Sequence, residues 1–348
     1  MMIPLPWEGP SLMRCAESMV YAPYEVHGTG VLIGWDAAQI GARVQALCAY
    51  FGLAPIPRDS VECPVTMMWR TQDSQVSLPA AACPVAQHHG LQVWQVNTEL
   101  YLGDREWLVK LDPAVGQGIG TLLAASLTAP TLPVDLFLYS LLLLLRRQGW
   151  YAAHAACLAN EDGGCLIVAD SGSGKSTLTL GLVQAGWNYL ADDAVVFRRS
   201  HGEHVDVLPL RQDLYLAPEA AALFPDTSDH WQTCLLREDT KQRLEVRALY
   251  PAQIRDTCQP DLLLFPTIVA QPESELVPIG KADALLRLIQ QSALLAIDPQ
   301  QASGHLDVLV RLVRQSRHYR LLAGQDLARN PRRIAPLLEE IQQQARCT

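Results

Sequence analysis

One short segment carries the residues best suited to chemistry, a glycine-rich loop with a single lysine. Residues 169–177 read Ala-Asp-Ser-Gly-Ser-Gly-Lys-Ser-Thr, which differs only at Ala169 from the glycine, four variable residues and Gly-Lys-Ser/Thr of a phosphate loop. Gly172 and Gly174 permit backbone conformations that are closed to other residues, so successive N–H groups can turn inward as an anion nest. The segment therefore predicts phosphate binding by Ser171, Gly172, Ser173, Gly174, Lys175, Ser176 and Thr177.

Two residues at the end of the loop have distinct predicted roles. A helix is expected over 175–185, and its N-terminus adds a positive dipole end to the nest. Lys175 places an ammonium group on the outer phosphates of a nucleotide, and Ser176 offers a hydroxyl group to the magnesium ion that accompanies it. The expected ligands are therefore ATP and Mg²⁺.

A pair of carboxylates follows the next apolar segment. The strand predicted over 188–191 ends in Asp192 and Asp193. In a parallel strand–helix–strand unit, the first loop and the end of the second strand can meet at the sheet edge where α/β proteins bind ligands. One carboxylate there can help to hold magnesium, while the other takes a proton from an incoming hydroxyl group. The alternative is that one aspartate only caps a turn.

The elements before the loop predict a separate, smaller domain. Short strand-like runs broken by glycine and proline dominate residues 1–128, which indicates a β-rich α+β domain of unknown role. One helix is expected over 36–50, with Asp36 as its N-cap, and another near 116–127. The proline-containing segment 128–135 is the predicted boundary.

The rest of the chain predicts the larger domain. Across residues 129–348, helices alternate with apolar strands, which is typical of an α/β sheet. The apolar stretch 134–145 is shorter than the ~20 residues that cross a bilayer, so we expect a buried helix and no membrane span. The predicted fold class is α/β, with a β-rich N-terminal domain followed along the chain by a C-terminal phosphate-loop domain.

Composition narrows the class of protein further. The formal net charge of −9, without a long basic run, argues against nucleic-acid binding. The nine cysteines form no Cys-x-x-Cys pair, so reduced thiols in a cytoplasmic protein are expected. The first residues show no signal-peptide pattern.

The segments "HAACL", "GCLIVADSGSGKST" and "AGWNYLADDAVVF" together resemble the HPr kinase/phosphorylase family and its HprK-related kinases, and more distantly the ATP-dependent phosphoenolpyruvate carboxykinases. The resemblance implies Asp192 as the catalytic base and His154 as a neighbour that tunes the base or orients the acceptor. It also implies metal contacts from Ser176 and Asp193. The segment 207–225 lacks the Glu-Ile-Arg-Gly-like signature of members that also run the phosphorylase direction, so the resemblance is to the HprK-related kinases.

These observations predict an ATP- and magnesium-dependent kinase that phosphorylates a hydroxyl group, first of all a serine, of a protein or peptide. Two alternative functions stay open, a non-catalytic nucleotide-binding regulator and a small-molecule phosphotransferase. Assembly into a homo-oligomer also stays open. The transition state of phosphoryl transfer also needs cations beyond the γ-phosphate. The charged segment 237–247 could form a lid that supplies one of Arg237, Lys241, Arg243 and Arg247, and a solvated loop is the alternative for each of them.

Overall fold

The chain divides into two compact units in a computed structural model, residues 1–148 and residues 149–348. The structure describes residues 19–57, 61–74, 76–88, 90–103, 106–123, 132–200, 202–233 and 240–346. Both units combine helices with sheets, in agreement with the predicted α/β class. None of the helices in the described part of the chain combines the length and the apolar character that a bilayer span requires.

The first unit is built on one nine-stranded sheet. Its strands are β1 (Val20–Val26), β2 (Thr29–Trp35), β3 (Ala54–Pro55), β4 (Val65–Gln72), β5 (Cys83–His88), β6 (Leu91–Val96), β7 (Glu99–Gly103), β8 (Trp107–Asp112) and β9 (Gln117–Leu123). The strand order is β3-β1-β2-β4-β9-β8-β7-β6-β5. Its helices are α1 (Ala38–Tyr50) and α2 (Val134–Leu145).

Two local predictions in the first unit are wrong. The N-cap of α1 is Ala37, because Asp36 instead accepts a hydrogen bond from the backbone N–H of Thr71 at 2.8 Å. The helix expected near 116–127 is replaced by strand β9, which pairs with β4 and β8. Gly120 explains the strand: a Cβ there would lie 2.2 Å from the ring of Trp69, so the glycine leaves room for that side chain on the pleated surface.

Helix α2 belongs to the first unit because its apolar side chains pack there. The Phe137 ring stacks on those of Trp69 and Phe51, with centroids 6.0 and 6.2 Å apart. The structure therefore divides the chain after Gln148, beyond the predicted boundary segment 128–135.

The second unit holds one six-stranded sheet and two three-stranded sheets. The strands of the large sheet are β11 (Ala155–Ala159), β12 (Gly164–Val168), β13 (Asn188–Ala191), β19 (Pro260–Ile268), β20 (Glu275–Pro278) and β21 (Arg317–Ala323). The small sheets contain β10 (Tyr151–Ala153), β14 (Val195–Arg199) and β15 (Val205–Pro209), and then β16 (Leu214–Leu216), β17 (Trp231–Thr233) and β18 (Gln242–Leu244).

Helices cover both faces of the large sheet. They are α3 (Lys175–Gln184), α4 (Pro218–Ala221), α5 (Val246–Leu249), α6 (Lys281–Gln290), α7 (Ala293–Ile297), α8 (Ala302–Gln315), α9 (Gln325–Arg329) and α10 (Ile334–Arg346). Successive side chains of β12 point to opposite faces, where two separate apolar cores form. Helices α3 and α10 pack in one core, and helices α6 and α8 pack in the other.

The order of the large sheet is β13-β11-β12-β19-β21-β20. Strand β11 is antiparallel to both β12 and β13, so these two run parallel to each other with β11 between them. The C-terminal ends of β12 and β13 therefore lie at the same edge of the sheet. The glycine-rich loop and the aspartate pair follow those two ends.

Candidate active site

The glycine-rich loop connects β12 to α3 and is open on its outer side. Gly172 and Gly174 have φ angles of 83° and 85°, in the left-handed region that favours glycine. A Cβ at either position would meet no atom within 4 Å. Both glycines therefore border open space, which leaves room for a ligand beside the loop, as an anion-binding nest requires.

The other predicted loop residues stay near the surface. Ser171 is exposed, and Ser173, Ser176 and Thr177 are half-buried. Ser173 fixes the loop locally, because its N–H and its hydroxyl group both bond to the carbonyl oxygen of Asp170, at 3.3 and 2.5 Å.

Lys175 joins the loop to the aspartate pair. Its Nζ lies 3.1 Å from Asp193 Oδ1 and 3.6 Å from Asp192 Oδ1, while only 5% of its side chain is exposed. Burial by itself would lower the pKa of Lys175, but the charges of Asp192 and Asp193 outweigh it and raise that pKa. The lysine is therefore held as a cation at the entrance of the nest.

Asp193 is the centre of a cluster of cationic and donor groups. Its Oδ1 lies 3.1 Å from Lys175 Nζ and 3.2 Å from His154 Nδ1, and its Oδ2 lies 2.6 Å from Arg211 Nη2. Burial would raise the pKa of Asp193, but Lys175, Arg211 and His154 together lower it well below its ordinary value. Its φ of 75° lies in the left-handed region, which aspartate adopts more often than most residues other than glycine.

Asp192 differs from its neighbour in both burial and partners. None of its side chain is exposed, and neither carboxylate oxygen finds a hydrogen-bond partner among the described residues. Two buried acceptor oxygens thus retain open hydrogen-bonding capacity next to Lys175. The charged partner of Asp192 is Lys175 at 3.6 Å, beyond hydrogen-bond distance. A buried carboxylate that lacks hydrogen bonds is costly, which marks Asp192 as a candidate functional group.

His154 lies at a break between two strands. Strands β10 and β11 end and begin on either side of it, and belong to different sheets. Burial, then the charge of Lys175, lowers the pKa of His154, so the imidazole is neutral at neutral pH. Because a carboxylate oxygen only accepts, the contact with Asp193 requires the proton on Nδ1.

Arg211 is a residue of the candidate site that the sequence analysis missed. It follows the β14–β15 hairpin, where Leu210 N–H bonds to the carbonyl oxygen of Ala194 at 3.1 Å. The same register brings Arg211 opposite Asp193. The signal in the sequence was an arginine directly after a strand. It could be interpreted only once the pairing of that strand beside the aspartate pair was known.

Two basic residues of the expected lid, Arg243 and Arg247, contact other groups. Arg243 bonds to Asp213 at 2.7 Å, and Arg247 bonds to Gln212 at 2.9 Å. Arg237 lies outside the described residues. The cation that the structure brings to the aspartate pair besides Lys175 is Arg211.

No group of three or more His, Cys, Asp or Glu side chains able to hold a metal occurs in the described ranges. A magnesium ion that arrives with a nucleotide needs few protein ligands, since phosphate oxygens supply part of its coordination. Ser176 is half-buried at the start of α3 and has a hydroxyl group to offer. Asp193 already accepts contacts from Lys175, His154 and Arg211, so a role in metal binding would be through water rather than direct.

Comparison with known proteins adds little to this geometry. No family model matches the chain, and no curated protein matches its sequence. Among solved structures, the Hpr(Ser) kinase/phosphatase from Coxiella burnetii is similar at a TM-score of 0.31 and 14% identity, over 56% of this chain and 92% of that chain. A similarity at this level establishes neither fold nor function.

Proposed function

We propose that residues 149–348 form an ATP- and magnesium-dependent kinase that phosphorylates a hydroxyl group, first of all a serine, of a protein or peptide. The observation that carries the proposal is the position of Lys175. It begins a helix behind an open glycine turn, and its ammonium group lies within 3.6 Å of both members of an aspartate pair. Phosphate binding and proton acceptance are thereby available at one point.

The two aspartates differ in what they can do. Asp193 is a weak base, because Lys175, Arg211 and His154 hold it as a carboxylate. Neither oxygen of Asp192 has a hydrogen-bond partner within the described part of the chain, so we take it as the acceptor for the proton of an incoming hydroxyl group. We assign the general base to Asp192 and the organisation of the cations to Asp193.

In the proposed step, the acceptor oxygen forms a bond to the γ-phosphorus while the bond to the bridging oxygen of ADP breaks. The hydroxyl proton passes to Asp192, and ADP keeps the electron pair of the broken bond. Lys175 and Arg211 neutralise negative charge on the phosphoryl oxygens. Magnesium, held by Ser176 and through water by Asp193, would supply further charge neutralisation.

A nucleotide-binding regulator that transfers nothing is the second candidate. The complete burial of Asp192 favours it, because an acceptor must reach that carboxylate. Transfer therefore requires Lys175 to move from the aspartates toward the phosphates and open a path.

The test uses the full chain with γ-labelled ATP, Mg²⁺ and a peptide library that contains serine, threonine and tyrosine. Label should appear on peptide, mainly on serine, with wild-type protein and not with Lys175→Ala. ATP binding without label on any peptide or on the chain itself would support the regulator. Failure of wild-type protein to bind either ATP or GTP would exclude both candidates.

A further inference from the structure

Gln291, directly after α6, contacts both halves of the candidate site. Its side-chain Nε2 donates a hydrogen bond to Asp170 Oδ1 at 2.5 Å. Its main-chain carbonyl oxygen accepts a hydrogen bond from His154 N–H at 2.9 Å. Asp170 lies at the start of the glycine-rich loop, and His154 contacts Asp193. One residue therefore links the loop to the aspartate pair from outside.

These two bonds close a ring of contacts around the site. The loop connects Asp170 to Lys175 along the chain, and Lys175 bonds to Asp193. The members of the ring, in order, are Asp170, Lys175, Asp193, His154 and Gln291. Because the ring is closed, a shift of the loop away from the aspartates must break at least one of its contacts.

The end of α6 is a rigid support for this link. Ala284 and Leu288 of that helix are fully buried in the core it shares with α8. Immediately after Gln291, the buried Ser292 bonds through its hydroxyl group to the carbonyl oxygen of Leu288 at 2.8 Å. A side chain carried on a packed helix end holds its partner more accurately than one carried on a loop.

We infer that Gln291 is a positioning residue that holds the phosphate loop in register with His154 and the aspartate pair. This inference rests on the proposed function, since it assigns the loop to nucleotide phosphates. Glycines make the loop flexible, and ordering it on binding costs conformational entropy. The bond to Asp170 orders the loop in advance and so strengthens nucleotide binding.

The test measures binding of ATP with Mg²⁺ by calorimetry, in parallel with the midpoint of urea unfolding. Gln291→Met removes the bond without adding charge, and should weaken ATP binding about tenfold. Gln291→Glu should weaken it at least as much, because it faces the Asp170 carboxylate. Asp170→Asn should restore ATP binding when it is combined with Gln291→Glu, because the amide at position 170 can donate to the carboxylate at position 291. It should not restore ATP binding when it is combined with Gln291→Met.

Gln290→Glu is the matched control, since it adds the same charge at the exposed residue before Gln291. Wild-type affinity in Gln291→Met would overturn the inference, as would equally weak binding in Gln290→Glu and Gln291→Glu. So would a lower unfolding midpoint that accounts for the whole loss of binding.

A second measurement keeps the inference separate from the proposed function. Hydrogen exchange without nucleotide should be faster over residues 170–177 in Gln291→Met than in wild-type protein. If wild-type protein binds no ATP, the proposed function fails, while this exchange still reports on the link. Unchanged exchange over that segment contradicts the link itself.

Discussion

Arg211 lies opposite Asp193 across a hairpin, with Nη2 2.6 Å from Oδ2. The arginine is 3% exposed and its guanidinium group stacks on the Tyr215 ring, 4.5 Å from the centroid. The stacking and the ion pair together fix the guanidinium plane. A buried arginine in this position stabilises the aspartate and adds a cation to the site.

Arg211→Ala should lower the free energy of unfolding by about 1–3 kcal/mol, because Asp193 loses a charged partner and Tyr215 loses its stacked group. Arg211→Lys should recover only part of this, since an ammonium group cannot stack as a planar fork does. Urea unfolding at neutral pH measures both changes. Arg247→Ala, whose side chain is 56% exposed, is the control and should change stability by less than about 0.5 kcal/mol. An equal loss in both variants would contradict the role of Arg211.

Asp192→Asn and Asp193→Asn should affect phosphoryl transfer differently. Loss of the general base in Asp192→Asn should slow transfer by about 10²–10⁴-fold and leave ATP binding nearly unchanged. Asp193→Asn should weaken the ion pairs with Lys175 and Arg211, and so alter ATP affinity and the free energy of unfolding as well. Transfer rates and calorimetric affinities, measured on the same preparations, separate the two patterns. Transfer at the wild-type rate by Asp192→Asn would show that this carboxylate is not the base.

Gly172→Ala should lower stability by about 1–2 kcal/mol, because alanine is strained at a φ of 83°. It should also weaken ATP binding, since the strain is relieved by a change in the nest. Gly202→Ala is matched, with the same φ of 83° and no atom within 4 Å of the added Cβ, but it lies in the turn after β14. It should lose similar stability and keep wild-type ATP affinity. Weakened ATP binding in both variants would point to a general effect of lost stability.

Acid should lower the free energy of unfolding of the second unit in two pH ranges, the first set by His154 and the second by Asp193. The pKa of His154 is lowered from 6.5, so the unfolded state takes up a proton first and the free energy of unfolding falls as the pH drops below 6.5. The pKa of Asp193 lies well below 3.8, so its stabilisation is complete above that pH and is lost as the pH falls toward the folded-state pKa.

His154→Gln should therefore reduce the loss of stability between about pH 7 and pH 5. Urea unfolding at several pH values in that range measures it. His204→Gln is the control, because this exposed histidine lies in the β14–β15 turn, away from the cluster. A wild-type slope in His154→Gln would assign the acid sensitivity to other groups.

Several features of the fold follow from local sequence pattern. Helix α3 begins at Lys175, as the sequence predicts, and ends near Gly186, whose φ of 102° is typical of a glycine that ends a helix. Asn330 precedes Pro331 and caps the turn that leads into α10. Strand β19 has a continuous apolar run, which is typical of its central place in the sheet.

Other features depend on which segments meet and were not predicted. The stretch around His154 is apolar enough for one strand, but its two halves join different sheets. The sequence of strand β9 favours a helix, and the strand is explained by the ring of Trp69, which packs over Gly120. In both cases a tertiary contact outweighs the local propensity.

By itself, the sequence determined the glycine-rich loop, its lysine and the aspartate pair, because these lie within one short segment whose backbone follows residue type and periodicity. Only the tertiary structure decided their partners. Arg211 reaches Asp193 through a hairpin register, and Gln291 reaches Asp170 across 121 residues of chain. Such contacts depend on how distant elements pack against each other, and a local pattern of residue types does not specify that packing.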